Sequence, residues 1–232
     1  MTAAGASQAL VDAAAAMVGQ RDVAGTLSRL LDDCAKATAA DAIGMLVKDD
    51  QSRLEVLSAT SHQVTELELY QLQQDIGPCI DASRDGIALS VKGAEEIVSR
   101  WGEVGQAIVA AGFQAVHAVP LRWHGQLIGA MNAFHADPAT AGQAQQLTQA
   151  FADIATVVIV QSTDLTASQL DERIGIALAG RTVIEQAKGV LAHTTGVDMA
   201  TAYQRLTERA AANGSTLTET AGEIIRQAQR RT

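Results

Sequence analysis

The chain has 232 residues, of which 47% are hydrophobic and only 3% aromatic, so it can bury a sizeable core, built from Ala, Val, Leu and Ile. Its net charge of −9 argues against a generic nucleic-acid binder, and no run of about eighteen apolar residues offers a membrane span. Cys34 and Cys79 lack metal-ligand spacing and read as free thiols of a cytoplasmic protein; the Ala-rich start lacks a basic leader and is not expected to be a signal peptide.

Taken in order, "DVAGTLSRLLDDCAKATAA" places Val23, Leu27, Leu30, Leu31 and Cys34 at helical spacing. "DAIGMLVKDD" and "SRLEVLSAT" read as short strands around a "KDDQ" turn. "HQVTELELYQLQQ" reads as a helix, and in the following "DIGPCIDASRDG" Gly77 and Pro78 are expected to stop regular structure. Cys79 then sits in a loop above the sheet, either packed or redox-sensitive. "IALSV" is a strand candidate, and "AEEIVSRWGEVGQAIVAAG" a helix closed by Gly112.

"QAVHAVPLRW" and "QLIGAMNAF" flank His124-Gly125, a strong hairpin signal. A tight turn sets Trp123 opposite Gln126, and continuing that register sets His117 opposite Asn132. Both faces of this hairpin are mostly apolar, so the sheet should be covered on both sides and can enclose a small-molecule pocket. His117 and Asn132 are then either a polar patch in that pocket or satisfied core groups.

From about Thr140 the pattern is helical. "AQQLTQAFADIATVVIVQ" flows through "STDLTASQLDERIGIALAG" without a proline, and Val160, Thr163, Ala167, Leu170, Ile174 and Ala177 fit a weak heptad seam. That seam suggests a parallel two-helix connector. Beyond Gly180 the apolar set rotates to Val183, Ile184, Ala187, Val190 and Leu191. Arg181 and Lys188, seven residues apart, continue along the old seam direction. They are either a solvated row partnered by Glu185 or a contact surface for an anion. "DMATAYQRLTERAA" and "TLTETAGEIIRQAQ" give two further helices, with Asp198 and Thr216 as N-caps and Glu219 completing a capping box. Met199, Ala202, Tyr203, Leu206 and Ala210 form a core stripe, although Tyr203 could also stack on an unpaired base. Arg205 and Arg209 lie off the stripe.

The charge is unevenly shared. Residues 1–166 hold 9 Lys/Arg against 19 Asp/Glu, whereas residues 167–232 hold 8 against 7. If any part of the chain meets a polyanion, it should be the second.

Up to about residue 162, "DAIGMLV", "QDIGPCIDA" and "AVHAVPLRWHGQLIGAMNAF" resemble, in order and spacing, a GAF domain, a small-molecule sensor module of bacterial signalling. The "GPC" piece is similar to the version in actinobacterial GAF proteins fused to RNA-binding domains. Residues 167–228 resemble an ANTAR domain through "AGRTVIEQAKGVL", "TGVDMATAYQRLTERAA" and "LTETAGEII". The resemblances imply an α/β part followed by an all-α part: a GAF-like antiparallel sheet with flanking helices over 1–162, a helical connector over 163–180, and a three-helix ANTAR bundle over 167–228 whose first helix overlaps the connector. They imply a homodimer that binds paired RNA hairpins in nascent leader transcripts and prevents a terminator from forming. On this reading Arg181, Lys188, Arg205, Arg209, Ser215 and Thr216 contact RNA, and Cys79, His117 and Asn132 mark the sensor pocket. Family members often carry Arg or Lys where this chain has Ser215-Thr216. No haem or bilin attachment pattern is present, so the sensor's cofactor is unknown and its signal is a small molecule or a protein. No Ser-His-Asp set, paired acid site, phosphate loop or metal cluster stands out, so an enzyme is not expected. The alternative is a dimeric protein-interaction module that has lost RNA binding, consistent with Ser215-Thr216 and the near-neutral second part.

Overall fold

The structure, a computed structural model, describes residues 22–141, 144–160 and 167–230. The Ala-rich start and Thr163 of the expected seam lie outside them. Helix α1 (Val23–Thr38) leads into a hairpin of β1 (Ala42–Lys48) and β2 (Leu54–Ala59), then α2 (His62–Gln74) and α3 (Pro78–Asp85). Strand β3 (Leu89–Lys92), α4 (Ala94–Ala110) and the hairpin β4 (Ala115–Trp123) and β5 (Gln126–His135) complete the sheet. Four helices follow: α5 (Ala144–Val160), α6 (Ala167–Thr195), α7 (Met199–Asn213) and α8 (Leu217–Gln229). The strands lie in the order β2-β1-β5-β4-β3, every neighbouring pair antiparallel.

Local chemistry sets these elements. Asp22 caps α1 by accepting from the Gly25 N–H at 3.1 Å, and Leu27, Leu30, Leu31 and Cys34 form its buried stripe. The sheet is covered on both faces, as its apolar strands require. One face, through Met45, Val119 and Met131, packs on α1, α5 and the first half of α6. The other packs Val116 and Phe134 on α2 and α4, and Ala118 and Ala130 on α3. Full burial of each such large side chain is worth about 1.5–3 kcal/mol, which makes the central strands the anchor of the domain.

Three expectations are corrected by the structure. The β4–β5 turn places His124 (φ 47) and Gly125 (φ 83) in the left-handed region and pairs Trp123 with Gln126, as expected. A bulge then breaks the register: Arg122 pairs with Leu127 and Leu121 with Gly129, leaving Ile128 as the extra residue. His117 therefore faces Ala133, and Asn132 faces Ala118. Because side chains alternate along a strand, His117 and Asn132 point to opposite faces of the sheet.

Pro78 does not end regular structure. It is the first residue of α3, where its missing N–H costs no helical bond. Gly77 precedes it at φ 142, with Gln71 packed where a Cβ would stand, and the Gln71 Oε1 accepts from the Cys79 N–H at 3.2 Å. The side chain of one helix thus caps the next, and Cys79 is helical and buried instead of lying in a loop.

The expected connector is the third. α5 and α6 pack against each other. Leu170, Ile174 and Ala177 are buried in this chain's own core beside α1 and α5, so the seam is filled from within instead of facing a second copy. The second half of the same helix sends Ile184 and Ala187 into a different core with Leu206, Ala221 and Ile224.

Gly129 sits where β5 crosses β1, and a Cβ there would overlap the Leu46 carbonyl oxygen and lie 2.9 Å from Val47 Cα. Neither backbone atom can move without disturbing two strands. Gly129→Ala should therefore destabilise the chain by about 1–3 kcal/mol, as overpacking typically does. A urea titration would show a lower midpoint with an unchanged slope.

Candidate nucleic-acid interface and sensor core

The C-terminal helices are closed by the caps their sequence announces. Asp198 accepts from the Thr201 N–H at 2.7 Å. Thr216 accepts from the Glu219 N–H at 3.1 Å while Glu219 accepts from the Thr216 N–H at 3.0 Å. Ala202, Leu206 and Ala210 form the buried stripe of α7, and Met199 and Tyr203 stand at its partly exposed margin. Of the six residues expected to face RNA, Arg205 is exposed, and Arg209 donates to Gln227 Oε1 at 3.2 Å. Ser215 shares a 2.7 Å hydrogen bond with the buried Thr220 hydroxyl, and the Thr216 hydroxyl is taken up by its cap.

Arg181 and Lys188 do not form an open row. Arg181 Nη1 donates to the Val56 carbonyl on the outer edge of β2 at 2.6 Å, and burial draws its pKa below the usual arginine value. Lys188 Nζ sits 2.9 and 3.0 Å from the two Glu185 oxygens and 5.5 Å from the centre of the Tyr203 ring. Tyr203 is in turn hydrogen-bonded through its hydroxyl to Ser28 of α1. Two further contacts close the same side. Asp22 accepts from the Thr218 N–H at 3.1 Å and from the Thr218 hydroxyl at 2.7 Å. A Cβ on Gly180 would lie 2.9 Å from the Ala24 Cβ.

The three residues expected to line a sensor pocket are all buried; Asn132 and Cys79 meet at Glu68, while His117 lies on the opposite face of the sheet. His117 Nε2–H donates to the Ala141 carbonyl at 2.9 Å, and its ring packs edge-on against His135, centroids 5.3 Å apart. Burial, aided by His135, draws the His117 pKa down to about 4. Across the sheet, Asn132 Nδ2 donates to Glu68 Oε1 at 2.8 Å and Gln71 Nε2 donates to Glu68 Oε2 at 2.8 Å. The Cys79 thiol also bonds Glu68. Glu68 is fully buried with no cation among its described partners, and desolvation pushes its pKa up to about 8. A Cβ on Gly44 would overlap its carboxylate, so only glycine leaves room for it on β1. Burial, and then the Glu68 charge, push the Cys79 thiol well up, and burial pushes Cys34 up to about 12. Both cysteines are free, buried thiols disfavoured as thiolates.

Comparison with known proteins fits this two-part geometry. A family profile for the GAF domain matches residues 22–159, more than half of the chain, and one for the ANTAR domain matches residues 172–225. The chain is a GAF–ANTAR protein. Among solved structures, the GAF domain of an Acinetobacter phosphoenolpyruvate-protein phosphotransferase aligns with TM-score 0.52 at 12% identity, covering 77% of this chain and 97% of that one. The corresponding domain from Coxiella burnetii aligns with TM-score 0.52 at 12% identity, covering 69% and 96%. These likenesses show the GAF fold. No curated protein matches the chain. A sensory GAF domain joined to an ANTAR domain, a module of RNA-binding antitermination regulators, makes this a regulatory protein. No helix among the described residues is long and apolar enough to cross a membrane, and no group of three or more His, Cys, Asp or Glu among them could hold a metal ion.

The GAF and ANTAR domains meet around a cavity of about 170 Å³, lined by Ser28, Thr60 and His62 on the GAF side and by Arg181, Lys188 and Tyr203 on the ANTAR side. A second cavity, of about 550 Å³, sets Asp49, Asp50 and Glu55 of the GAF domain across from Asp171 and Glu172 of α6, with Arg53 the one cation among the described residues of its wall. Glu68 and Gln71 were not foreseen as functional, yet a signal existed: with Val64 and Leu67 they occupy the buried i, i+3, i+4, i+7 stripe of α2. Two polar residues on a core stripe announce a buried polar cluster.

That cluster and the histidines set opposite pH limits. His117 is neutral in the fold down to about pH 4 but takes a proton near 6.5 when unfolded, so stability rises with pH across that interval. Glu68 holds its proton up to about pH 8 in the fold but loses it near 4.5 when unfolded, so stability falls as pH rises across that wider interval. Glu68→Gln should remove the falling limb and keep the rising one, with a pH-independent cost of ~1 kcal/mol because one donor then faces another. Urea midpoints measured from pH 4 to 9 check this, and a falling limb that survives the substitution would assign it to another group.

Proposed function

We propose that this chain is a cytoplasmic, non-enzymatic antitermination regulator whose ANTAR domain binds paired hairpins in nascent leader transcripts under control of its GAF domain. The observation that supports this most is the pairing itself: a GAF domain and an ANTAR domain in order on one chain. The charge distribution agrees with it, since the acidic excess stops where the ANTAR part begins. Arg181, Lys188, Arg205 and Arg209 would meet phosphates, and Ser215 and Thr216 would offer hydroxyls where a longer basic side chain would otherwise stand. A homodimer, if formed through α6, would use the side away from the GAF core, where Ile176 is 51% exposed. The GAF signal, a small molecule or a protein, would act by changing how the GAF domain holds α6.

One observation favours the rival, a protein-interaction module without RNA binding: Arg181 and Lys188 already have acceptors within the chain. Binding to tandem-hairpin RNA, followed against salt concentration, separates the two. On our reading Arg181→Ala, Lys188→Ala and Arg205→Ala each weaken binding and flatten the log–log salt dependence by about one unit per lost phosphate contact. No binding at low salt by the full chain or by any of its variants would leave the rival standing.

A further inference from the structure

The charged contacts between the domains share a direction: those of Asp22 and Arg181 both present a GAF acceptor to an ANTAR donor. The first turn of a helix has N–H groups without intrahelical partners and a positive end of the helix dipole, so an anion is at home there. At α8 that anion is the Asp22 carboxylate, contributed from the opposite end of the sequence and seated on both the N–H and the hydroxyl of Thr218. A phosphate oxygen would make the same pair of bonds. Arg181 follows Gly180, and a Cβ on Gly180 would lie 3.7 Å from Thr218 Oγ1, so the guanidinium springs from beside the same end of α8. Its Nη1 is likewise held by a GAF acceptor, the Val56 carbonyl. Tyr203, the aromatic beneath Lys188, is held by Ser28. Ala24 packs into the ANTAR core with Ile184 and Leu217, closing the strip from above.

We infer that this structure is the closed state of an intramolecular competition, in which Asp22 and the β2 edge occupy the groups that RNA phosphates would take. The inference rests on the RNA reading above, and adds Thr218 to the RNA-contacting groups and Asp22 as the residue that excludes RNA. Asp22 suits this role because it serves both domains at once. Its Oδ1 accepts from Gly25 N–H, capping α1, and from the Thr218 hydroxyl, while Oδ2 accepts from the Thr218 N–H. Releasing α8 therefore leaves α1 capped, and the GAF domain can let go without unfolding.

The test uses the full chain and an RNA library of tandem hairpins with randomised loops, by filter binding over a range of salt. Asp22→Ser keeps a good cap for α1 but is too short to reach Thr218. It should bind about 10-fold more tightly than wild type, because the competent fraction rises by that factor. Asp22→Asn, which keeps the shape and loses the charge, should give a smaller gain in the same direction. Adding Thr218→Val to Asp22→Ser should cancel most of the gain. Thermal unfolding of each variant confirms that α1 still folds. Equal binding by wild type and Asp22→Ser overturns the competition and leaves the RNA reading intact; a gain that survives Thr218→Val overturns the assignment of Thr218. If neither wild type nor Asp22→Ser binds at low salt, the RNA reading fails and the competition fails with it.

Discussion

One helix belongs to two hydrophobic cores, and the arrangement of the molecule follows from that. The first half of α6 buries Leu170, Ile174 and Ala177 in the GAF core, and its second half buries Ile184 and Ala187 in the ANTAR core. A continuous helix cannot bend its faces independently, so the orientation of the first half fixes that of the second. The 29 residues of α6 make it a lever of about 44 Å at 1.5 Å per residue. The fulcrum is Gly180, which lies between the two sets of buried residues and where an added Cβ would stand 2.9 Å from the Ala24 Cβ. Any side chain there would push α1 and α6 apart.

Polar contacts are laid over this apolar framework, and they are unequal in kind. Hydrogen bonds to a charged partner are worth roughly 1.5–3 kcal/mol each, and those of Arg181 and Asp22 both cross the domain boundary. The capping contacts of Thr216 and Asp198, by contrast, stay within their own helices. Those two caps therefore need no partner from the GAF domain. Inside the GAF domain the corresponding polar feature is Glu68, which has amide and thiol partners and, among the described residues, no cation. It lies on the sheet face that carries Asn132, opposite the one that carries His117.

Features whose cause is local were legible in the sequence. The His124-Gly125 turn, the capping box of Thr216 and Glu219, and the stripe of α1 each depend on residues within a turn or two of one another. The order of the GAF and ANTAR signatures was legible for the same reason. The misses arise from contacts distant in sequence or from a single displaced residue. A bulge at Ile128 reversed the expected facing of Asn132, and no pattern in "QLIGAMNAF" distinguishes a strand with a bulge from one without. Pro78 could either stop or start a helix, and the deciding partner is Gln71 on the neighbouring helix. The seam of Leu170, Ile174 and Ala177 was correctly read as apolar, but periodicity says that a face is covered and not by what. The partner of Asp22 lies 196 residues away.

The cavity between the β1–β2 loop and α6 concentrates charge of one sign. Asp49, Asp50 and Glu55 face Asp171 and Glu172 there, and Arg53 is taken up by Asp49 at 2.8 Å, so the β1–β2 loop and the start of α6 present like charges to each other. Dissolved salt shortens the range of that repulsion, to about 8 Å at physiological strength, and weakens the charged contacts of Asp22 and Arg181 by the same screening. The same salt weakens any grip on a polyanion by diminishing the gain from counterion release. Salt thus eases the repulsion at one place and loosens charged contacts at another, and the two effects oppose each other within one chain.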